Sequence, residues 1–554
     1  MKTKSNIEFF RILIILTCLL MSCKNNSQSK PDNTTSKELN NLFFSKVDFT
    51  KAKIPSQEYS KSFDLQNDNF LTIVFTLDKP LIETLQELGP SLSEKELLSK
   101  GNFQFSYVVD EKVVYTENLN TRAGVKTQKT EELRQIVPLI SSEQIDFWGL
   151  FMWKRFMQFN GGQDAFIEGI HTLSIEIKAY LKGDTLRVSP LLAKGSIAVK
   201  VPKINIDESL VPVQKIQPNS DWKISKANFN SKKIEALNRK IAEGRFEYIN
   251  GIVVIKDGRL LIEEYFNDST RDSLHDVRSV GKSFASTIMG IAIEEKFIKD
   301  ENTLLKDFYD LRLFKNYSSK KDSVTLKSLL TMSSGFLGDD DDNESLGTEY
   351  KMQSSDNWVK FTLDLPMHTE KVIGKDYNYF TAGVCLLGDI IHKSVPDGLV
   401  SYADKKLFAP LGITNYKWFY TPQNIGYTGG GIRLRAIDFA KYGQLYKDKG
   451  IWNGKQILTK EWVEKSLAKQ VSQSYAGILD GYYGYLFWNN KYTINGKDYE
   501  VSFCAGMGGN KIIIFKDIPF VVVITASAYS KPFAYIDIDK MMTDYILPAI
   551  LLDN

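Results

Sequence analysis

The 554-residue sequence is poor in the residues that metal and triad chemistry need: it has four histidines and four cysteines. It contains no His-Glu-x-x-His pair and no Gly-x-Ser-x-Gly elbow, so zinc hydrolysis and a nucleophile-elbow triad both lack their parts. Neither charge is in excess. Seventy basic and 67 acidic residues leave a formal net charge of +3, and no clustered basic face points to a nucleic-acid partner. No internal repeat occurs, and no apolar run is long enough to span a bilayer as a helix. What remains is ordinary globular composition, 43% hydrophobic and 25% charged, in a chain too long for one core.

The first 23 residues read as a targeting segment. Lys2, Lys4 and Arg11 precede the short apolar run Ile12–Met21, which ends in Leu20-Met21-Ser22-Cys23. That ending resembles the bacterial lipoprotein box, which implies lipidation of Cys23, export, and attachment to a membrane in the cell envelope; plain secretion is the alternative. Residues 24–44, including "KNNSQSKPDNTTSKELNN", are polar and aperiodic, as a tether would be. Cys18 leaves with the leader. Cys385 and Cys504 lie in apolar stretches and are expected to be free buried thiols rather than a disulfide.

Residues 45–203 read as β structure. "LTIVFTL", "FQFSYVV", "TLSIEIKAYL" and "GSIAVKV" are alternating, β-rich segments, and an all-β antiparallel sandwich is expected. It contains no acid pair, metal cluster or nucleophile setting, so its role is either binding a polymer or spacing the rest from the membrane. His171 is expected to be structural. Residues 204–222 read as a linker, and the pattern changes over 223–554. "KKIEALNRKIAEG" has helical spacing. "GIVVIKDGRLLIEEYF" is a hairpin about Asp257-Gly258. Helices fill the middle, and strands return at "YGYLFWN", "YEVSFCA", "NKIIIF" and "FVVVITAS", before a last helix from about Phe533. The expected architecture is α/β (α+β): one antiparallel sheet completed by distant segments, flanked by helices, with a helical lobe inserted.

The stretch "VRSVGKSFAS", Val277–Ser286, admits two chemistries. Gly281-Lys282-Ser283 has the ending of a phosphate loop, but such a loop needs a glycine five residues earlier, where the backbone approaches phosphate. Asp276 stands there and would repel phosphate. The second reading is Ser279-x-x-Lys282. Ser-x-x-Lys occurs five times, at Ser27, Ser220, Ser279, Ser318 and Ser466, but only the Ser279 copy opens a long, weakly polar helical stretch. Positions i and i+3 share a helix face, so the Lys282 amine can reach the Ser279 hydroxyl. Burial and the positive helix N-terminus both disfavour the ammonium and leave an amine able to act as a base.

From Ser279 onward the sequence resembles the serine β-lactamase and penicillin-binding-protein superfamily, especially its class C-like esterase and amidase branch. The segments that carry the resemblance, in order, are "SVGKSFASTIMGIAIEEKFIKDENTLLKDF", "VTLKSLLTMSSGF", "GKDYNYFTAGVCLLGDII", "LFAPLGI", "GGGIRLRAIDFAKYGQLY" and "FCAGMGGNKIIIF". The resemblance covers about Ile234 to Leu547. It implies that Ser279 is the nucleophile, Lys282 its activating partner, and Tyr379 the second-motif tyrosine that shares proton transfer, with Tyr377 as its nearby rival. An unperturbed phenol titrates near ~10, so Tyr379 would need Lys282 as a neighbouring cation.

The third motif falls at Met507-Gly508-Gly509, whose glycines would let substrate lie along the strand edge. By the same resemblance, the backbone N–H groups of Ser279 and Asn510 form the oxyanion hole. No cofactor and no metal is implied. Two positions depart from the family. Relatives acting on β-lactams or peptidoglycan stems often have lysine where Met507 stands, and a thioether cannot pair with a substrate carboxylate. Thr381 stands where asparagine is frequent and removes an amide donor from the substrate-binding surface. The expectation is therefore a hydrolase that forms an acyl-enzyme on a neutral ester, amide or small peptide. The alternatives are a D-Ala-D-Ala peptidase or β-lactamase, and a non-catalytic binding protein that kept the fold. "DDDDNE", 339–344, is expected to be a solvated loop at the mouth of the site, because it lacks the spacing of a calcium loop. His275 is expected to be structural.

Overall fold

The computed structural model describes residues 40–47, 54–141, 148–218, 221–342, 344–475, 479–529, 531 and 534–551. The leader, Cys23 and most of the tether lie outside them. Among the described residues no helix is long and apolar enough to cross a membrane. The chain divides into two compact units, Met1–Lys203 and Ile204–Asn554.

In the first unit the expected strands form two sheets over one core. Leu42–Ser45, Leu71–Thr76 and Arg134–Ile140 make a three-stranded antiparallel sheet. The second runs Ser62–Asp64, Ala193–Val201, Gly169–Leu181, Gly101–Val109, Lys112–Asn118, with Arg187–Val188 paired beside the path. Phe44, Ile73 and Val137 of the first sheet share a core with Phe105, Ile175 and Val199 of the second. Three features differ from the all-β reading. The strand Leu42–Ser45 begins inside the stretch assigned to the tether, because Leu42 and Phe44 are buried. Ser62–Asp64 pairs parallel with Ala193–Val201. Helices Leu81–Leu88 and Trp148–Lys154 bury Leu81, Leu85, Met152 and Trp153 in the same core, a contribution that strand periodicity does not reveal. His171 is structural, with Nδ1 2.7 Å from Asp110 Oδ2 and Nε2 2.9 Å from the Ile167 carbonyl oxygen.

The second unit is built on an eight-stranded antiparallel sheet. Its order is Arg259–Tyr265, Ile249–Lys256, Phe520–Ala526, Asn510–Phe515, Lys497–Gly506, Trp488–Ile494, Leu479–Tyr483, Val471–Tyr475. The first hairpin therefore forms one edge of the sheet and pairs with the last strand of the chain, so that distant segments complete one sheet, as the sequence pattern implies. Both faces are covered. Val253, Ile255, Ile512, Ile514, Val521 and Val523 face one core with helices Val280–Glu294 and Ala436–Lys447. The alternate residues Ile252, Val254, Ile513, Phe515, Val522 and Ile524 face another, with Ser231–Ala242 and Ala534–Met541. Burial on both faces explains the unbroken apolar runs Ile252–Ile255, Ile512–Phe515 and Phe520–Ile524 in these strands. The Asp257-Gly258 turn has φ of 50° and 67°, the two left-handed residues that a tight hairpin of this kind requires.

Two local readings need correction. "YGYLFWN" is not one strand. The chain leaves the sheet after Tyr483 and rejoins it at Trp488, with Leu486 at φ 62°. Its N–H donates to the Leu330 carbonyl (2.9 Å), and its own carbonyl accepts the Ser283 hydroxyl (2.5 Å). Ser283 therefore anchors this turn through its hydroxyl. The linker also ends early as a free segment. Gln214 donates its backbone N–H to Glu264 (2.9 Å) and exchanges side-chain bonds with the Tyr265 backbone, while Arg271 donates to the Gln217 and Pro218 carbonyls. This part of the linker is fastened to the edge strand Arg259–Tyr265.

Candidate active site

Every residue from Val280 to Ala292 is buried, so the helix that follows Ser279 is central to the second unit. Small residues permit this depth. A Cβ at Gly290 would lie 2.4 Å from the Trp462 ring, and one at Gly281 would press on the Gly430 backbone at 3.1 Å. Ser279 is the residue immediately before the helix. Arg278, just before it, takes φ 51°, a left-handed conformation uncommon for a side chain of this size. Its guanidinium sits over the Tyr529 ring at 4.8 Å, and the Tyr529 hydroxyl donates to the Asp276 carbonyl (2.7 Å). The Asp276 carboxylate faces Arg433 at 3.1 Å and Arg278 at 3.5 Å, which leaves this turn no phosphate-loop character.

Lys282 points back along the helix to Ser279. Its Nζ lies 2.7 Å from Ser279 Oγ and 2.6 Å from the Gly429 carbonyl oxygen, and the residue is 1% exposed. Burial pulls the Lys282 pKa below the ordinary lysine value, while Glu349, Asp340 and Cys385 push the other way. Tyr379 closes the arrangement. Its ring centroid is 5.1 Å from Lys282 Nζ, it stacks on Trp488 at 5.8 Å, and its hydroxyl interacts with Ser279. Burial raises the phenol's pKa far above its usual value; the Ser279 hydrogen bond opposes this, and Asp340, Glu349 and Asp341 add to it. Tyr379 is therefore a protonated phenol at neutral pH. Tyr377 is not brought to Ser279. It packs against Tyr483 and Trp488, and its hydroxyl is buried without a hydrogen-bond partner.

The third-motif residues sit at the turn between Lys497–Gly506 and Asn510–Phe515. Gly508 and Gly509 have φ of 93° and 92°, so the turn itself requires glycine, and a Cβ at Gly508 would meet the Tyr529 ring at 2.9 Å. The Asn510 amide locks the turn, donating to the Met507 carbonyl (2.9 Å) and accepting from Ala526 N–H (2.9 Å). Asn510 stands opposite Gly506 in register, and a Cβ at Gly506 would be 3.1 Å from the Ser279 nitrogen. The two backbone nitrogens expected to form the oxyanion hole thus flank the same glycine. Met507 is half exposed at the turn.

Thr381 does not belong to the substrate-facing surface. It is fully buried at the start of helix Thr381–Ser394, its methyl lies where a Gly429 Cβ would reach (2.6 Å), and its N–H donates to Asp340 Oδ2 (2.7 Å). Asp340 is the residue beside this site that sequence reasoning missed. The acidic run was expected to be wholly solvated, and Asp341 and Glu344 are exposed, but Asp340 turns inward. Charge-run composition gives no sign of this. His275 is buried; burial lowers its pKa to about 4, so it stays neutral in a structural role. Cys385 and Cys504 are free and buried, as expected. No group of three or more His, Cys, Asp or Glu able to hold a metal ion occurs among the described residues.

A family model described as Beta-lactamase matches residues 245–540, more than half of the chain. No curated protein matches. Among solved structures, an octameric penicillin-binding protein homologue from Pyrococcus abyssi is 20% identical, with a TM-score of 0.45 over 56% of this chain and 76% of that one. A penicillin binding protein from Bacillus halodurans is 17% identical, with a TM-score of 0.41 over 52% and 94%. A family VIII carboxylesterase is 13% identical, with a TM-score of 0.44 over 56% and 95%. The assignment comes from the family match, which takes in the helix that carries Lys282, the tyrosine stacked against it and the glycine turn beside them: this chain belongs to the Beta-lactamase family, a superfamily of serine hydrolases.

Proposed function

We propose that the second unit hydrolyses a neutral ester, amide or small peptide through an acyl-enzyme on Ser279. One observation carries the reading: a fully buried lysine amine lies 2.7 Å from the hydroxyl of a serine at the entrance to its own helix. A serine hydroxyl is a weak nucleophile until a base takes its proton. Lys282, disfavoured as an ammonium by burial, is that base. As Ser279 Oγ attacks the carbonyl, its proton passes to Lys282 Nζ. The developing oxyanion is stabilised by the backbone N–H groups of Ser279 and Asn510. Tyr379, a neutral phenol against both groups, donates to the leaving group and recovers its proton through Lys282. Water then attacks the ester of Ser279, releasing the acid and free enzyme.

The substrate preference follows from Met507. A half-exposed thioether at this turn offers no cation to a substrate carboxylate, which favours neutral substrates over β-lactams and peptidoglycan stems. The test is direct. A fluorophosphonate should label the wild-type chain at Ser279, located by peptide mass spectrometry, and the protein should turn over a neutral aryl ester. Folded protein that takes no label would instead be the non-catalytic binder. Faster turnover of nitrocefin or a D-Ala-D-Ala peptide than of the ester would overturn the substrate preference.

The two tyrosines separate cleanly. Tyr379→Phe should lower the labelling rate by about a hundredfold, the lower end of general acid–base effects. Tyr377→Phe removes a hydroxyl with no partner and should leave the rate within about twofold. The reverse order would transfer the second-motif role to Tyr377.

A further inference from the structure

We infer that Asp340 is a positioning residue for this reaction and that, together with Glu349, it sets the charge state of Lys282. The inference rests on the hydrolase reading above and deepens it. Asp340 donates its backbone N–H to the Tyr379 carbonyl (2.8 Å). Its Oδ2 accepts from Thr381 N–H (2.7 Å) and its Oδ1 from Glu349 N–H (2.5 Å). One residue thus holds the Tyr379 carbonyl through its backbone N–H and the first residues of two helices, Thr381–Ser394 and Glu349–Gln353, through its carboxylate. An anion at the start of the fourteen-residue Thr381–Ser394 helix is also favoured by the helix dipole.

Glu349 completes the shell. Its Oε1 accepts from the Tyr427 hydroxyl and from Gln353 Nε2 (2.9 Å). The Tyr427 ring lies against Gly429, where a Cβ would sit 2.5 Å from its hydroxyl, and the Gly429 carbonyl is the second acceptor for Lys282. Polar and titratable groups face Lys282 from each element packed against it. Its own helix entrance presents Ser279; the segment before and along helix Thr381–Ser394 presents Tyr379 and Cys385. Residues 427–431 present Tyr427 and the Gly429 carbonyl, and the acidic run and the helix after it present Asp340 and Glu349. The only anions in this set are the two carboxylates. Neither forms an ion pair with Lys282, so both act through space in a poorly solvated setting.

The consequence concerns the working pH. Lys282 accepts the Ser279 proton only as a neutral amine. Burial favours the amine, whereas Asp340 and Glu349 favour the ammonium. The Thr381 backbone N–H is given to Asp340, and a negative charge stands behind the tyrosine. Removing that charge must lower the pH at which the amine appears. It cannot raise it.

The experiment measures the rate constant of fluorophosphonate labelling against pH in the full chain. Asp340→Asn should move the acid limb down by about one pH unit, the lower end of the effect of a nearby opposite charge. Glu349→Gln, whose amide oxygen still accepts from Tyr427 and Gln353, should move it in the same direction. If Asp340→Asn labels more slowly at every pH but its limb stays within ~0.2 units of wild type, Asp340 only braces the helix ends and the inference is wrong. If that variant does not fold, Glu349→Gln decides by the same criterion. Wild-type protein that takes no label overturns the hydrolase reading itself, and this inference with it. A labelled wild type with an unmoved limb in the variant overturns this inference alone.

Discussion

Lys282→Met should slow fluorophosphonate labelling of Ser279 by about a thousandfold and abolish the acid limb of its pH profile, while the protein still folds. General-base assistance contributes typically 10²–10⁴-fold, and Lys282 is the only amine that reaches Ser279 Oγ among the described residues. Methionine suits this test because its unbranched chain fills most of the lysine's volume in a site that is 1% exposed. Two groups lose the lysine amine as their partner, the Gly429 carbonyl and Ser279 Oγ, at a cost of about 1–3 kcal/mol if left unsatisfied. Against that, the variant no longer keeps a polar amine out of water, and methionine retains the apolar packing of the site. Thermal unfolding should therefore shift little compared with the rate. Ser279→Ala should take no label at all. Labelling of Lys282→Met at the wild-type rate would mean that Ser279 is activated by something else, and the proposed mechanism would fail at its first step.

The same lysine shows how far the sequence can be read. Ser279, Lys282 and Tyr379 were legible because their relations are local or lie within short motifs: one helical turn joins the first two, and the third sits in a segment that resembles its family counterpart. The sheet was legible too. Strands such as Asn510–Phe515 and Phe520–Ala526 are buried at every position and carry the unbroken apolar runs Ile512–Phe515 and Phe520–Ile524, as strands covered on both faces do. What failed were features decided by partners far away in the chain. Asp340 looks like one more residue of a charged run until Thr381 and Glu349 offer it two N–H donors. Thr381 is a polar residue at a substrate-facing motif position until burial against Gly429 removes it from the surface. Leu486 breaks a convincing strand because Ser283 and Leu330, distant in sequence, satisfy its backbone in a conformation no β pattern would suggest.

Gly506→Ala should cost on the order of a hundredfold in activity. Gly506 ends the strand Lys497–Gly506 opposite Asn510, and a Cβ there would lie 1.9 Å from the Val277 carbonyl oxygen and 3.1 Å from the Ser279 nitrogen. Both neighbours are backbone, so no rotamer change relieves the clash. The Val277–Ser279 segment has little room to move, because Arg278 is already held at φ 51°. The strand end or the nucleophile turn must shift, at about 1–3 kcal/mol or more for overpacking of this kind. The shift falls between the two nitrogens proposed for the oxyanion hole, and misplacement by about 1 Å in such a site costs on the order of a hundredfold. The loss should appear in kcat for a neutral ester more than in KM, since an oxyanion contact is made chiefly in the transition state. Gly496→Ala separates this from a general glycine penalty: it sits at φ 77° with nothing within 4 Å of its Cβ. It should lose about 1 kcal/mol of stability from backbone strain and keep its kcat. Equal losses of kcat in the two variants would show that glycine strain, not the approach of Gly506 to Ser279, governs the result, and would remove the support that this contact gives to the oxyanion hole.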